Sequence, residues 1–273
     1  MVMASARMGY RKPSSKAIQA VVVPRHRGIG LTDVGKRRQS NEDAFYVDDM
    51  LGLYVVADGM GGHAAGEVAS QEAVETVYGM VKRGRADLKE LYPPLVEADA
   101  RAGCRLIESA VQAATYMVFS MAELDRGETG MGTTISAVLL LGAYAVMAQV
   151  GDSRIYRVRR GETEQLTEDH TLIAWQLKQG LITPQEAKVS PHRNVITRAV
   201  GNRDYVEVDT GLMSLERGDR FLLCSDGLHG YLRDDDVAPV VALGGELSVR
   251  RFIEVANERG GKDNITAVLV ELD

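Results

Sequence analysis

The 273-residue chain has only two cysteines, Cys104 and Cys224, far apart and each set in an apolar run. That excludes a disulfide scaffold and points to a reduced, cytoplasmic protein in which both thiols are structural. Neither sits in surroundings that resemble a thiolate site. No stretch reaches the roughly 18 consecutive apolar residues of a membrane-spanning helix, so none is expected. After about Gly30 no Pro/Ser/Gly linker interrupts the chain, and no heptad or other oligomerisation pattern appears, which favours one domain and a monomer.

Acids outnumber bases except at the start. The formal net charge is −6, yet the first thirty residues hold Arg7, Arg11, Lys12, Lys16, Arg25 and Arg27 and no acid. The body is therefore acidic, which argues against nucleic acid as the main partner. The apolar stretch from Ala20 to Val23 is too short for a signal-peptide core and stops at Pro24. Residues 1–29 are read as a basic N-terminal tail and 30–273 as one folded domain.

What is present is an alternation of short apolar strands and longer helical patterns. Strands are expected over Leu53 to Ala57, Thr134 to Leu141, Tyr144 to Val150, Arg154 to Arg159, Asp219 to Cys224 and Asn264 to Glu271. Helical spacing marks Gly66 to Val81, through Val68, Ala69, Ala73, Val74, Val77, Tyr78 and Val81, and Val96 to Leu124, through Leu106, Ala110, Ala113, Met117 and Met121. The Met-bearing stripe reads as core packing. Further helices are expected over Asp234 to Leu243 and Leu247 to Glu258. Turns such as Leu141 to Tyr144 and Gly151 to Arg154 are too short for crossover helices, so the strands pair antiparallel with helices packed on the sheets. The polar stretch from Thr171 to Arg193, broken by Pro184 and Pro191, reads as a flap or loop region.

A repeated device carries the chemistry: an apolar strand running into aspartate and glycine. It occurs as Tyr54-Val55-Val56-Ala57-Asp58-Gly59 and as Phe221-Leu222-Leu223-Cys224-Ser225-Asp226-Gly227, with a variant ending at Gly151-Asp152, while Asp263 opens the last strand. One aspartate at a strand end is ordinarily a turn residue. Several gathered at one end of the sheets would need their like charges neutralised, which a divalent cation does directly. Gly59 lets the chain turn sharply and offers its carbonyl as a further ligand. Hard oxygen donors without nearby His or Cys indicate magnesium or manganese rather than zinc. Upstream, within Gly35 to Asp43, Arg38 lies four residues before Glu42, so that on an extended chain both can point to the same face, and a guanidinium beside such a centre suits a phosphate.

Together these pieces resemble the type 2C (PPM) metal-dependent protein phosphatases in their compact bacterial form. The resemblance spans roughly residues 30 to 272, through Asn41-Glu42-Asp43, Asp58 to His63, Met131 to Thr134, Gly151 to Arg154, Leu166 to His170, Ile196 to Gly201, Ser225-Asp226-Gly227 and Asp263-Asn264, in the family's order. It implies an α+β fold, a four-layer αββα sandwich of two antiparallel sheets flanked by helices, with 30–273 as the single catalytic domain. It implies a protein serine/threonine phosphatase that hydrolyses phosphoserine and phosphothreonine by direct attack of a metal-activated water, without a phosphoenzyme.

Carried over position by position, Asp58 matches the carboxylate bridging two Mn2+ or Mg2+ ions, with Gly59 giving a carbonyl to one. Asp226 and Asp263 match ligands of the other. Glu42 and Asp43 match acids acting through water, Asp152 with Asp226 a third and weaker ion, and Arg38 the phosphate-binding arginine. Catalysis is then carried by Asp58, Arg38 and Asp226. Met60 stands where many eukaryotic relatives have a histidine proposed as general acid; His63 is not equivalent by spacing and reads as structural, and His170 as a packing or hydrogen-bonding residue. Phosphorylated proteins, including a serine/threonine kinase, are the implied partners. Two competing readings are a non-catalytic phosphoprotein-binding module, from which carboxylates are usually lost, and a phosphatase of small phosphorylated metabolites, distinguished by the flap.

Overall fold

The structure, a computed structural model, describes residues 25–61, 65–124, 130–233 and 235–273. Its strands form two antiparallel sheets. One contains β1 (His26–Asp33), β7 (Arg154–Arg159), β8 (Glu162–Gln165), β10 (Arg220–Cys224) and β11 (Ile265–Leu272) in the order β1-β11-β10-β7-β8. The other contains β2 (Asp43–Asp48), β3 (Leu53–Met60), β5 (Ile135–Leu141), β6 (Tyr144–Val150) and β9 (Asp209–Ser214) in the order β2-β3-β5-β6-β9, with the two-residue β4 (Gly132–Thr133) paired to the end of β3.

Strand alternation assigns each layer its own core. Tyr54 and Val56 of β3 and Val138 of β5 face Ile155, Phe221, Leu223, Val268 and Val270 of the opposing sheet, all fully buried. The other side of β3 and β5 turns Leu53, Val55, Ala57, Ala137 and Leu139 toward helices α1 (Ala65–Gly84) and α2 (Glu97–Leu124). Leu222, Cys224, Ala267 and Leu269 instead meet Val237 and Val241 of α6 (Val237–Val241) and Val249 and Phe252 of α7 (Gly245–Glu258). The result is the expected αββα sandwich. Central strands covered on both faces read as continuous apolar runs, and β5 is buried at every residue.

Four expectations shift. The boundary at residue 29 falls inside β1, whose full length pairs with β11 from His26 opposite Leu272; residues 1–24 of the basic tail lie outside the described residues. On α2 the buried face is Gly103, Ile107, Ala110, Val111, Ala114 and Val118, a neighbouring stripe to the one read from the sequence. Met117 is 43% exposed, whereas Leu106 and Met121 of the expected stripe stay partly buried against the core, because the helix turns chiefly the face of Ile107, Ala110, Val111 and Ala114 toward the sheet. The flap is partly helical: α3 (Leu172–Lys178) is capped by Thr171, and α4 (Pro184–Val189) has a complete Thr183/Glu186 capping box with proline in its first turn. The helix expected from residue 234 begins at Val237. Cys104 and Cys224 are both free, and burial raises both thiols, Cys224 to about 12, so neither is a nucleophile.

Candidate active site

One end of the sandwich gathers every acidic residue singled out above. Asp58 lies near the end of β3, directly opposite Asp43 at the start of β2. Like charges directly across a strand pair destabilise it. The chain accepts this pairing and builds around it. Asp226 begins the short α5 (Asp226–His229) after β10, Asp263 precedes β11, Asp152 lies between β6 and β7, and Glu42 leads into β2.

Burial and mutual repulsion raise Asp58, Asp43, Asp152, Asp226 and Glu42 above the ordinary carboxylate range. Burial, then Asp43, Asp226, Asp152 and Asp263, push Asp58 well above the carboxylate range. Burial pushes Asp43 to about 7, opposed by the hydroxyls of Thr266 and Ser225 and reinforced by Asp226 and Asp263. Asp152 rises to about 7 by burial, then Asp226 and Asp169. Asp226 is raised by burial and Asp263 and pulled back by a hydrogen bond with Asp58. Glu42 is raised by burial, partly offset by Arg38.

The supports are mostly neutral hydroxyls and amides. The Asp58 N–H donates to Thr134 Oγ1 at 2.9 Å, and the Asp58 carbonyl accepts from the Thr134 N–H and the Thr133 hydroxyl, each at 2.9 Å. Thr134 Oγ1 lies 2.7 Å from Ser153 Oγ, tying this brace to the Asp152 loop. Asp43 Oδ2 accepts from Ser225 Oγ at 2.8 Å and Thr266 Oγ1 at 2.6 Å, so a carboxylate of one sheet is held by hydroxyls of the other. Two glycines permit the close approach. A Cβ at Gly59 would sit 2.1 Å from the Gly66 carbonyl and 2.4 Å from that of Glu42, and one at Gly227 would sit 1.8 Å from the Asn264 carbonyl.

Arg38 sits on the exposed loop between β1 and β2, not on an extended strand. It forks onto Asp263, with Nε 2.9 Å from Oδ1 and Nη2 2.9 Å from Oδ2, and lies 3.7 Å from Glu42. Asn264 anchors that loop: its side chain accepts from the Glu42 N–H and donates to the carbonyls of Val34 and Ser40. The Asp152 loop is clamped by two histidines. Gly151 N–H donates to His170 Nδ1 at 3.1 Å, leaving Nε2–H for Asp209, and His229 Nε2–H donates to the Asp152 carbonyl at 2.9 Å. His170 is thus the hydrogen-bonding residue expected. His63 lies outside the described residues.

Sequence reasoning missed the supporting cast: Thr133, Thr134, Ser153, His229, Asn264 and Thr266. Thr133, Thr134, Ser153 and Asn264 did lie inside noted motifs, where polar residues in the stretches around strand-end aspartates are the available signal.

Chemically the donor set fits a hard divalent cation. It offers crowded carboxylate oxygens, most of them pushed upward by burial and by one another, with no cysteine among them. Among the described residues no three His, Cys, Asp or Glu side chains converge tightly enough to hold a cation as they stand. Arg38 instead supplies positive charge to Asp263.

An αββα sandwich with oxygen-donor carboxylates and a guanidinium at one end defines a class, the metal-dependent phosphoric-ester hydrolases. The sequence model for protein phosphatase 2C matches residues 34–270, and the chain belongs to that family. It is 36% identical over 247 residues to the serine/threonine phosphatase stp of Listeria monocytogenes, covering 89% of this chain and 94% of that protein. To the protein phosphatase PhpP of Streptococcus pneumoniae it is 33% identical, over 89% and 96%. Among solved structures, the serine/threonine phosphatase PstP/Ppp of Mycobacterium tuberculosis superposes with a TM-score of 0.80 at 34% identity, covering 91% of this chain and 99% of that one. A catalytic domain of PstP in complex with two manganese ions gives 0.77 at 33% identity, over 90% and 98%.

Proposed function

We propose that the chain removes phosphate from phosphoserine and phosphothreonine in cytoplasmic proteins, a serine/threonine kinase among them, and acts as a monomer. The observation that carries this reading is the meeting of Asp43, Asp58, Asp152, Asp226 and Asp263 at one sheet end, with Arg38 at the rim. In this reading Asp58, the Gly59 carbonyl, Asp226 and Asp263 hold two manganese or magnesium ions. Glu42 and Asp43 act through water, and Asp152 with Asp226 serves a third, weaker ion. When bound, the ions polarise the phosphoryl oxygens and supply a nucleophilic water at neutral pH.

The remaining steps belong to the chain. Thr133, Thr134 and Ser153 fix Asp58 so that the reacting groups need no reorganisation. Arg38 presents a planar fork already matched to two oxygens, at present those of Asp263, and turns it to the phosphoryl group once that carboxylate is otherwise neutralised. Asn264 keeps the Arg38 loop in place. Met60 leaves no imidazole at the position two residues after Asp58. Burial pushes His170 and His229 toward the neutral form, and they are engaged with Asp209 and the Asp152 carbonyl. In this reading the leaving oxygen takes its proton from water in the cleft.

Release of phosphate from a phosphothreonine peptide, with manganese or magnesium added or chelated and with Asp58→Asn in parallel, tests the reading. Turnover that requires metal and vanishes in the variant is expected. A folded, metal-loaded but inactive wild type would replace it with a phosphoprotein-binding role.

A further inference from the structure

We infer that the cavity beside the carboxylate cluster selects phosphorylated segments carrying an apolar side chain next to the phosphorylated residue and an anionic group beyond it. The inference rests on the phosphatase reading above and names the kind of segment that site takes. A cavity of about 810 Å³ adjoins Asp152, Asp226 and Asp263 and is walled on one side by the flap. Ile173 and Leu177 of α3 and Pro184 and Ala187 of α4 make that wall apolar. At about 3.3–3.6 Å per extended residue, a space of this size holds the neighbours of a phosphorylated residue held at the cluster.

The charge on the walls is uneven. Outside the carboxylate cluster, Arg154 and Asp169 cancel one another in a two-point pair, Nε to Oδ1 at 2.8 Å and Nη2 to Oδ2 at 2.6 Å. Lys188, Arg193 and Lys262 remain, all exposed. Lys178 of the same flap is paired with Glu168, whereas these three have no carboxylate partner among the described residues. The Lys36 N–H donates to the Gly261 carbonyl at 2.7 Å, drawing a further basic segment to the Lys262 side. On a chain of formal charge −6, this is a local excess of positive charge along a concave wall, where it attracts and orients anions. A carboxylate or a second phosphate supplies the complementary chemistry.

The test uses the full-length protein with manganese and phosphothreonine peptides alike except for their flanks: leucine adjacent with glutamate, glutamine, lysine or phosphoserine beyond it, and a glycine-for-leucine control. Loss of the phosphothreonine phosphate is followed by mass spectrometry. The glutamate or phosphoserine peptide should exceed the lysine peptide in kcat/KM by about tenfold, and the gap should narrow at high salt. Whichever anion gives the larger value identifies the source. Lys188→Glu combined with Arg193→Glu, with folding checked by circular dichroism, should reverse the order. Equal values across the charged flanks, or no loss with glycine, would overturn the inference while metal-dependent turnover of p-nitrophenyl phosphate leaves the phosphatase reading standing. Absence of metal-dependent turnover on every substrate would overturn both.

Discussion

At the cleft floor, Asp43 and Asp58 face each other across paired strands, and the hydroxyls and amides around them are spoken for by Thr133, Thr134, Ser153, Ser225 and Thr266. At the flap the chain does much less: two helices of seven and six residues bury little beyond Ile173 and Ala187, and Trp175, Leu181 and Val189 stand 51%, 62% and 83% exposed. The floor holds like charges in place by fixing the backbone beneath them. The flap is held by local caps and a few buried side chains, and its surface is free to vary. In the proposed reading chemistry thus resides on covered strands and discrimination on a lightly packed appendage, as expected where a rigid scaffold carries a functional loop.

The sharpest way to break this contrast is at Asp58. Asp58→Asn should lower metal-dependent turnover by about 10³-fold or more, since it removes the ligand common to both ions in the proposed centre. The metal-free melting temperature should hold or rise, because a crowded like charge is lost; a fall would mean that Asp58 is structural. Arg38→Lys keeps the charge but not the fork, and kcat/KM should drop roughly ten- to a hundredfold with little change in stability. An unchanged value would remove Arg38 from phosphate binding. Thr134→Val leaves the Asp58 N–H without its acceptor, at a cost of about 1–3 kcal/mol in denaturant unfolding.

Asp152 gives the contrast a pH dependence. Its folded-state value of about 7 lies above the ordinary 3.8, so between those values the folded protein binds more protons than the unfolded chain. Its contribution is fully present below 3.8 and is lost as pH rises through about 7. In chelator, Asp152→Asn should therefore gain on the wild type as pH rises over that window, and saturating manganese should abolish or invert the gain because the ion favours the charged carboxylate. A parallel pair of pH curves in chelator would remove Asp152 from the coupled cluster.

The same contrast explains what the sequence could reveal. Strands β3, β5, β6, β7, β10 and β11 were legible because burial by neighbouring layers leaves apolar runs, and the aspartates stood out at their ends. β1, β2, β8 and β9 were not, since sheet edges and neighbours with exposed or half-buried faces carry mixed residues such as Glu162 to Gln165. The cross-strand pairing of Asp43 with Asp58 depends on register, which local spacing does not state. The hydroxyl braces were hidden for a similar reason: Ser225 and Thr266 reach Asp43 over 182 and 223 residues of chain. In the flap, the prolines read as breaks were helix starts at Pro184 and a true interruption only at Pro191.

That leaves the smallest expected effect, at Thr183. Its side chain accepts from the Glu186 N–H, and the Glu186 carboxylate accepts in return from the Thr183 N–H, closing the first turn of α4. Thr183→Ala opens that cap and weakens the helix by about 1 kcal/mol. Because α4 touches the body of the protein through little besides Ala187, the loss should stay local: faster amide exchange in the flap, an unchanged global melting temperature and unchanged turnover of a small phosphate ester. A peptide that must lie against Pro184 and Ala187 would meet a looser wall, so its KM should rise by a few fold while kcat holds. Global destabilisation by the full amount would show instead that flap and floor unfold as one unit, and the division of labour between them would fail.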